Sequence, residues 1–137
     1  MKLSILDQSV AIANKCQDQV INDTLNLSIM AEELGYSRFW ISEHHNHPTI
    51  IGTAPEVLMA AIAVKTNTIR IGSAGIMLPH YSSFKVAEQF RVLNSLAPNR
   101  IDLGLGRAPG SDGRTALALN SNNREFSENF PSHVRDL

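Results

Sequence analysis

The segment 69–105, IRIGSAGIMLPHYSSFKVAEQFRVLNSLAPNRIDLGL, contains the pattern that decides the fold. It opens with an apolar run, which predicts a strand, and a second apolar run begins at Ile101. Between the two runs we predict a helix over 84–97, because the apolar side chains recur at steps of three and four: Val86, Phe90, Leu93 and Ala97. A strand, a helix and a second strand in this order predict parallel pairing, since parallel neighbours need a crossover connection.

The same strand–helix unit occurs four times along the chain. Its apolar runs begin near Leu3, Arg38, Ile69 and Ile101, at spacings of 35, 31 and 32 residues. Eight such units would make about 250 residues, the usual size of a (βα)₈ barrel. The sequence therefore predicts an α/β fold of parallel (βα) units, the first half of a TIM barrel, with about four strands and three to four helices. An open four-stranded sheet is the alternative.

The other helices of this scheme are predicted over about 17–34 and 55–65. Gly35 is expected to cap the first of them in a left-handed conformation. The apolar face of that helix would consist of Val20, Thr24, Leu27, Ala31 and Leu34. The segment Thr53–Glu56 is similar to a capping box that would begin the second helix. Trp40, on the second strand, is expected in the core.

Residues 1–137 are predicted to form one unit with no internal domain boundary. A last helical pattern begins at Pro131 and stops after two turns, from which we expect the sequence to be a fragment. Half a barrel leaves two bare strand edges and an uncovered inner surface. We therefore expect the chain to dimerise or associate through that surface.

The composition excludes several classes of protein. The 12 Lys and Arg residues and 13 Asp and Glu residues give a net charge of −1, which disfavours binding to nucleic acid or to an anionic membrane. No apolar run reaches the roughly 18 residues of a membrane span, and no signal peptide is evident. The single cysteine, Cys16, cannot form an internal disulfide, and we expect a cytoplasmic protein.

Polar side chains follow the second predicted strand, in the segment Ser42–His47. Three histidines and Glu43 lie within five residues there. If strand alternation continues, Glu43 and His45 share one direction and His44 takes the other. A histidine suits a general base or a hydrogen bond to a reacting group, because its pKa lies near neutrality. A metal site is disfavoured because the spacing is not His-Glu-x-x-His, and a solvated polar loop is the remaining alternative.

Small residues follow the third and fourth strands. Gly72–Gly75 would leave a flat surface against which a planar ring could lie, or would form a bulge. Gly104–Gly110 places glycines beside Arg107, which could hold a phosphate or belong to a flexible loop. No glycine follows the first strand, which counts against a Rossmann dinucleotide site.

Four motifs in this order are similar to those of the bacterial luciferase-like flavin monooxygenases. They are Trp40–His45, Gly72–His80, Glu88–Phe90 and Leu103–Gly110, and the likeness runs over residues 2–137. It is closest to the branch known as alkanal-monooxygenase-like. The resemblance implies a TIM barrel that binds reduced flavin mononucleotide (FMN), supplied by a separate reductase, and uses O₂ to oxidise a small organic substrate.

The resemblance also implies roles for individual residues. His44 would be the active-site histidine near flavin and substrate, and Glu43 would be its neighbour in the pocket. Arg107 would meet the flavin phosphate, and Gly106 would leave room beside the ring. The segment beneath the isoalloxazine ring would comprise Ser73, Ala74 and Gly75. The peptide bond between the last two is expected to be cis, with the bond before it as the alternative. No metal is implied.

Members of this family dimerise through their second and third helices, so a homodimer through these helices is expected here. Two alternatives to a flavin monooxygenase stay open. One is a deazaflavin-dependent oxidoreductase of the same fold, which cofactor preference would distinguish. The other is a non-catalytic, oligomerising remnant, which would not bind flavin.

Overall fold

A four-stranded parallel sheet organises the computed structural model, which describes residues 1–137. Its strands pair in chain order: β1 (Ser4–Asp7), β2 (Arg38–Ile41), β3 (Arg70–Ser73) and β5 (Ile101–Asp102). A second, two-stranded parallel sheet continues the last two strands: β4 (Ile76–Met77) and β6 (Leu105–Gly106). The chain thus keeps its parallel direction from the first unit to the fourth, as the repeats predict.

Helices connect the strands at the predicted places. The three long ones are α1 (Gln17–Glu33), α2 (Pro55–Lys65) and α3 (Ser83–Leu96). A 3₁₀ turn precedes α3 (Leu78–His80), and three short helices follow β6: α4 (Gly113–Leu119), α5 (Asn123–Glu128) and α6 (Phe130–Arg135). Gly35 follows α1 with φ of +76°, the left-handed cap that was expected. None of the helices has the length and apolar character needed to cross a bilayer.

Strand alternation divides the sheet into two different faces. Phe39, Ile41 and Ile71 are fully buried on the face that packs against the helices, where they join Met59 and Ile62 in one apolar cluster. The opposite face, called the inner face below, is not covered by any helix. It carries Ser4, Leu6, Arg38, Trp40, Arg70 and Asp102.

Three local predictions were wrong. On α1, Leu27 and Leu34 are 36% and 69% exposed rather than on the buried face, and Ser28 takes the buried position next to Leu27, where its hydroxyl donates to the carbonyl oxygen of Leu25. At α2 no capping box forms, since the helix begins at Pro55 and Ala54 occupies the cap position. Trp40 lies on the half-open inner face rather than in the core, because it alternates with buried Phe39 along β2.

Candidate active site at the carboxyl edge of the sheet

The buried carboxylate of Glu43 is the centre of the site. It follows β2, is fully buried and accepts hydrogen bonds from three groups. Nε2 of His45 lies 2.7 Å from one carboxylate oxygen, and the hydroxyl of Tyr81 donates to the same oxygen at 2.7 Å. The backbone N–H of Met77 donates to the other oxygen at 2.8 Å. Glu43 therefore joins the segment after β2 to β4 and to the turn before α3.

Two further ionisable groups lie against this carboxylate. Burial raises the pKa of Tyr81, and its hydrogen bond to Glu43 and the negative charges nearby raise it further, so the phenol stays a neutral donor. Burial also raises the pKa of Glu56, in the first turn of α2, and the charge of Glu43 adds to the effect. The Oε2 atom of Glu56 is buried without a hydrogen-bond partner. The network thus places two carboxyl groups and a phenol beneath the surface of the site.

His44 points away from this network, as strand alternation predicts. Its ring is half-buried, and its Nδ1 atom is buried without a hydrogen-bond partner. The ring of His47 stands edge-on to it, with the ring centroids 6.4 Å apart. Of the two adjacent histidines, His45 is held by a carboxylate, and His44 has a ring nitrogen free to bind another group or to transfer a proton.

The end of β3 is a backbone surface without large side chains. The peptide between Ala74 and Gly75 is cis, as predicted, and the strand restarts as β4 beyond it. The hydroxyl of Ser73 donates to the carbonyl oxygen of Gly104 at 2.9 Å and accepts its N–H at 3.0 Å. A Cβ atom at Gly75 would lie 2.7 Å from the carbonyl carbon of Leu105. Only glycine allows this backbone-to-backbone contact. Because Ala74 carries only a methyl group and Gly75 no side chain, no large side chain stands at this part of the carboxyl edge.

Arg107 begins the loop that follows β6. It is exposed, its Nε donates to the carbonyl oxygen of Ser127 at 3.0 Å, and no carboxylate lies within ion-pair distance of it. The position that a Cβ atom of Gly106 would occupy lies 2.6 Å from the sulfur of Met77, so this glycine makes room for that side chain. Arg107 therefore offers an unneutralised guanidinium, a good partner for an anion.

Hydrogen bonds tie this loop to the other segments of the site. The N–H of His45 donates to the carbonyl oxygen of Gly110 at 2.9 Å. Nε2 of His80 lies 2.7 Å from the carbonyl oxygen of Pro109, and the His45 and His80 rings meet edge-to-face at 5.7 Å. The structure thus brings the segments after β2, β3 and β6 together at one edge, as parallel strands require.

The residues fit a flavin better than a metal ion. A flat surface at Ala74 and Gly75 suits a planar ring, and Arg107 suits a phosphate. No three His, Cys, Asp or Glu side chains are arranged so that they could hold one metal ion, the histidines after β2 included. We expected Glu43 in the pocket beside His44. Its carboxylate instead lies below the surface, where it binds His45, Met77 and Tyr81. Met77 and Glu56 received no role from the sequence, although Met77 lies in the Gly72–His80 motif and Glu56 lies in the Thr53–Glu56 segment.

Comparison with known proteins gives a family match over most of the chain. The family model described as luciferase-like monooxygenase matches residues 1–128. Two proteins of Bacillus subtilis (strain 168) match over all 137 residues: YwcH at 49% identity and N-acetyl-S-alkylcysteine monooxygenase at 47%. The match covers 41% of each of these relatives, so the chain spans about two-fifths of their length.

Solved structures share the fold. The structure of apo-MsnO8 is 41% identical, with a TM-score of 0.85 over 88% of this chain and 36% of that one. The oxygenating constituent of 3,6-diketocamphane monooxygenase from Pseudomonas putida, a type II Baeyer-Villiger enzyme solved with FMN, is 23% identical, with a TM-score of 0.81 over 99% and 36% of the two chains. An F420-dependent secondary alcohol dehydrogenase is 15% identical, with a TM-score of 0.65 over 93% and 41%. The last two likenesses show the fold alone, which is that of the first half of a TIM barrel.

Proposed function

Because this chain belongs to the luciferase-like monooxygenase family, we propose that residues 1–137 are the N-terminal half of a flavin-dependent monooxygenase barrel. The enzyme would use reduced FMN and O₂ to oxidise a small organic substrate, with the flavin delivered by a separate reductase. The observation that carries the proposal is that hydrogen bonds join, at one edge of the sheet, the three segments that carry His44, Ala74–Gly75 and Arg107. The single free cysteine, Cys16, is in keeping with a cytoplasmic location.

We assign the flavin ring to the surface formed by Ser73, Ala74 and Gly75. The Cβ of Ala74 is the largest group on its last two residues, so a ring can approach the backbone closely. We assign the phosphate to Arg107, which has no carboxylate partner. Gly106 supports the site indirectly, since it lets Met77 pack between the flavin surface and the loop. Reduced flavin would supply the electrons that activate O₂.

His44 is the candidate catalytic residue. Its unpartnered Nδ1 atom can accept or donate a proton at a reacting group. Glu43 acts as a positioning residue, because its carboxylate is buried and reaches the site only through His45, Met77 and Tyr81. The residues on both sides of His44, Glu43 and His45, are thereby held in place, which is what a preorganised site requires.

We further propose that the enzyme is a homodimer through α2 and α3. An open groove of about 500 Å³ runs between these helices and is lined in part by Val57, Ala60 and Val92. Val57 and Val92 are each 62% exposed, and Phe84 at the start of α3 is 72% exposed. Large apolar side chains exposed side by side are typical of an interaction surface.

Titration of the chain with FMN, oxidised and then reduced, tests the flavin site. We expect saturable binding that Arg107→Ala weakens by about ten- to a hundredfold, since hydrogen bonds to charged groups contribute about 1.5–3 kcal/mol. Arg91→Ala is the matched control, because Arg91 is also an exposed arginine and lies on α3, away from the carboxyl edge. An equal loss of affinity in both variants would contradict the role of Arg107.

Two other outcomes separate the alternatives. Tighter binding of a deazaflavin than of FMN would favour the oxidoreductase of the same fold, as in the F420-dependent neighbour. No binding of either cofactor to a folded chain would favour the non-catalytic remnant. Circular dichroism of every variant confirms that the fold is intact before affinities are compared.

A further inference from the structure

The inner face of the sheet carries an unbalanced group of charges. Nε of Arg38 lies 3.2 Å from one oxygen of Asp102, and the indole N–H of Trp40 donates to the same oxygen at 3.1 Å. Nε of Arg70 donates to the other oxygen at 3.1 Å. Two guanidinium groups share a single carboxylate, so this group has a net charge of +1.

Solvent stabilises this charge in the isolated chain. The side chains of Arg38 and Arg70 are each 39% exposed, while that of Asp102 is 18% exposed. Burial opposes the ionisation of Asp102, but hydrogen bonds from Arg70 and Trp40 outweigh it and keep the pKa below its ordinary value. The carboxylate is therefore fully committed to its present donors. Any partner that covers the inner face must therefore bring a negative charge to balance the net charge of +1. An unpaired charge that becomes buried is strongly unfavourable.

The inner face also has an exposed apolar side chain and the unpaired strand edges of a surface that binds a partner. Leu6 on this face is 55% exposed, and β1 and β5 are edge strands without a neighbour on their outer sides. An unpaired parallel edge next to exposed apolar side chains is a surface onto which further strands add. The relatives at 47–49% identity are more than twice as long as this chain, which leaves room for those strands.

A second copy of this chain, which we expected on this surface from the sequence, fits the edges but not the charge. The β1 edge of one copy could pair with the β5 edge of another, and the reverse contact would close eight strands. The enclosed space would then hold four arginines and two aspartates, since each copy brings Arg38, Arg70 and Asp102. Like charges brought together in a dry interior repel strongly.

We propose that the inner face binds a second barrel half whose own inner face has a net negative charge, and that it rejects a second copy of this chain. The partner is a polypeptide that supplies the remaining strands of the barrel. Its inner face carries at least one more carboxylate than positively charged side chains. Charge on the inner face, in addition to strand pairing, thus selects the correct half.

A charge-reversed copy of the chain serves as the probe. Arg38→Glu leaves Arg70, Asp102 and the new carboxylate on the inner face, so its net charge becomes −1 with the same strands and edges. Trp40, the single tryptophan, lies on that face, and its fluorescence therefore reports coverage there and is insensitive to contacts at α2 and α3. We would measure its emission and its quenching by acrylamide in each chain alone and in an equimolar mixture.

We expect the mixture to associate at least about tenfold more tightly than either chain alone, with Trp40 protected only in the mixture. Added salt should weaken this association. Arg91→Glu reverses an exposed charge on α3 and should not associate with the wild type in this way. Arg38→Met, which makes the face neutral, provides a second variant should the reversed chain fail to fold, and it should self-associate more tightly than the wild type. Two results would overturn the proposal. One is protection of Trp40 in the wild type alone that equals its protection in the mixture. The other is no protection of Trp40 in either the mixture or the Arg38→Met chain.

Discussion

Replacing Glu32 with glutamine should destabilise the chain in a way that depends on pH. Glu32 lies at the end of α1, and its carboxylate accepts the backbone N–H groups of Asn67 and Ile69 at 2.9 Å each. It also accepts the N–H and the hydroxyl of Thr68, between them. The carboxylate therefore holds the whole connection between α2 and β3, which sets where β3 begins.

The size of the effect follows from the pKa of this group. Burial raises the pKa of Glu32 somewhat, but the three N–H donors and the Thr68 hydroxyl outweigh it and lower the pKa from 4.5 to about 2. A difference of that size corresponds to about 3 kcal/mol in the absence of solvent screening. Because Glu32 lies at the surface, where solvent screens the charge, we expect Glu32→Gln to cost about 1–2 kcal/mol at pH 7.

Urea unfolding at a series of pH values measures this cost. At pH 7 the midpoint should fall by about 0.5–1 M, given the usual urea dependence for a chain of this size. A lowered carboxyl pKa contributes stability in full above the unfolded value, and this contribution is lost as pH falls. The difference between wild type and variant should thus be constant above about pH 5 and shrink between pH 4.5 and 2.

Glu33→Gln is the matched control, because it removes the same charge from the next residue, which is exposed and accepts none of these bonds. It should change stability by less than about 0.5 kcal/mol. The reasoning would be refuted by a cost of Glu32→Gln that equals that of the control, or by one that stays unchanged from pH 7 to pH 2.

Two further substitutions test the buried parts of the site. Tyr81→Phe removes a hydrogen-bond donor from the buried carboxylate of Glu43 and should lower the free energy of unfolding in urea by about 1–3 kcal/mol. Tyr36→Phe is the control and should cost far less, because the hydroxyl of Tyr36 makes no hydrogen bond. Equal costs would argue against the network. Gly104→Ala would place a methyl group against a β3 carbonyl oxygen and should cost about 1–3 kcal/mol or more, and Gly113→Ala, with open space around it, should be close to neutral. A well-folded Gly104→Ala chain of unchanged thermal midpoint would show that the two backbones can separate without cost.

The order of strands and helices follows from the sequence because every unit carries its own periodic signal. The end of α2 at Lys65 agrees with the prediction, since Thr66 and the residues after it have no apolar period. The failures lie where tertiary contacts decide. Ser28 takes the buried position that the apolar period assigns to Leu27, because packing against other elements, which the sequence of one helix does not encode, decides which side chains are buried.

In the site, too, contacts between neighbours in the sequence could be predicted, and contacts between distant residues could not. The shared direction of Glu43 and His45 is a property of one strand, and the 2.7 Å contact between them is the outcome. The donors Tyr81 and Met77 lie 38 and 34 residues from Glu43, and no local pattern connects them to it. The roles of His44, Arg107 and the flavin surface rest on family membership and stay predictions until cofactor binding is measured.

Pairing in chain order has a consequence for synthesis on the ribosome. Each strand of the sheet hydrogen-bonds to the strand one unit earlier, as in Ser4 with Arg38 and Arg38 with Arg70. A nascent chain can therefore complete each pair as soon as the next unit leaves the exit tunnel, without waiting for a distant segment. Every finished strand then acts as the template for its successor, so a register error early in translation would pass to all later strands.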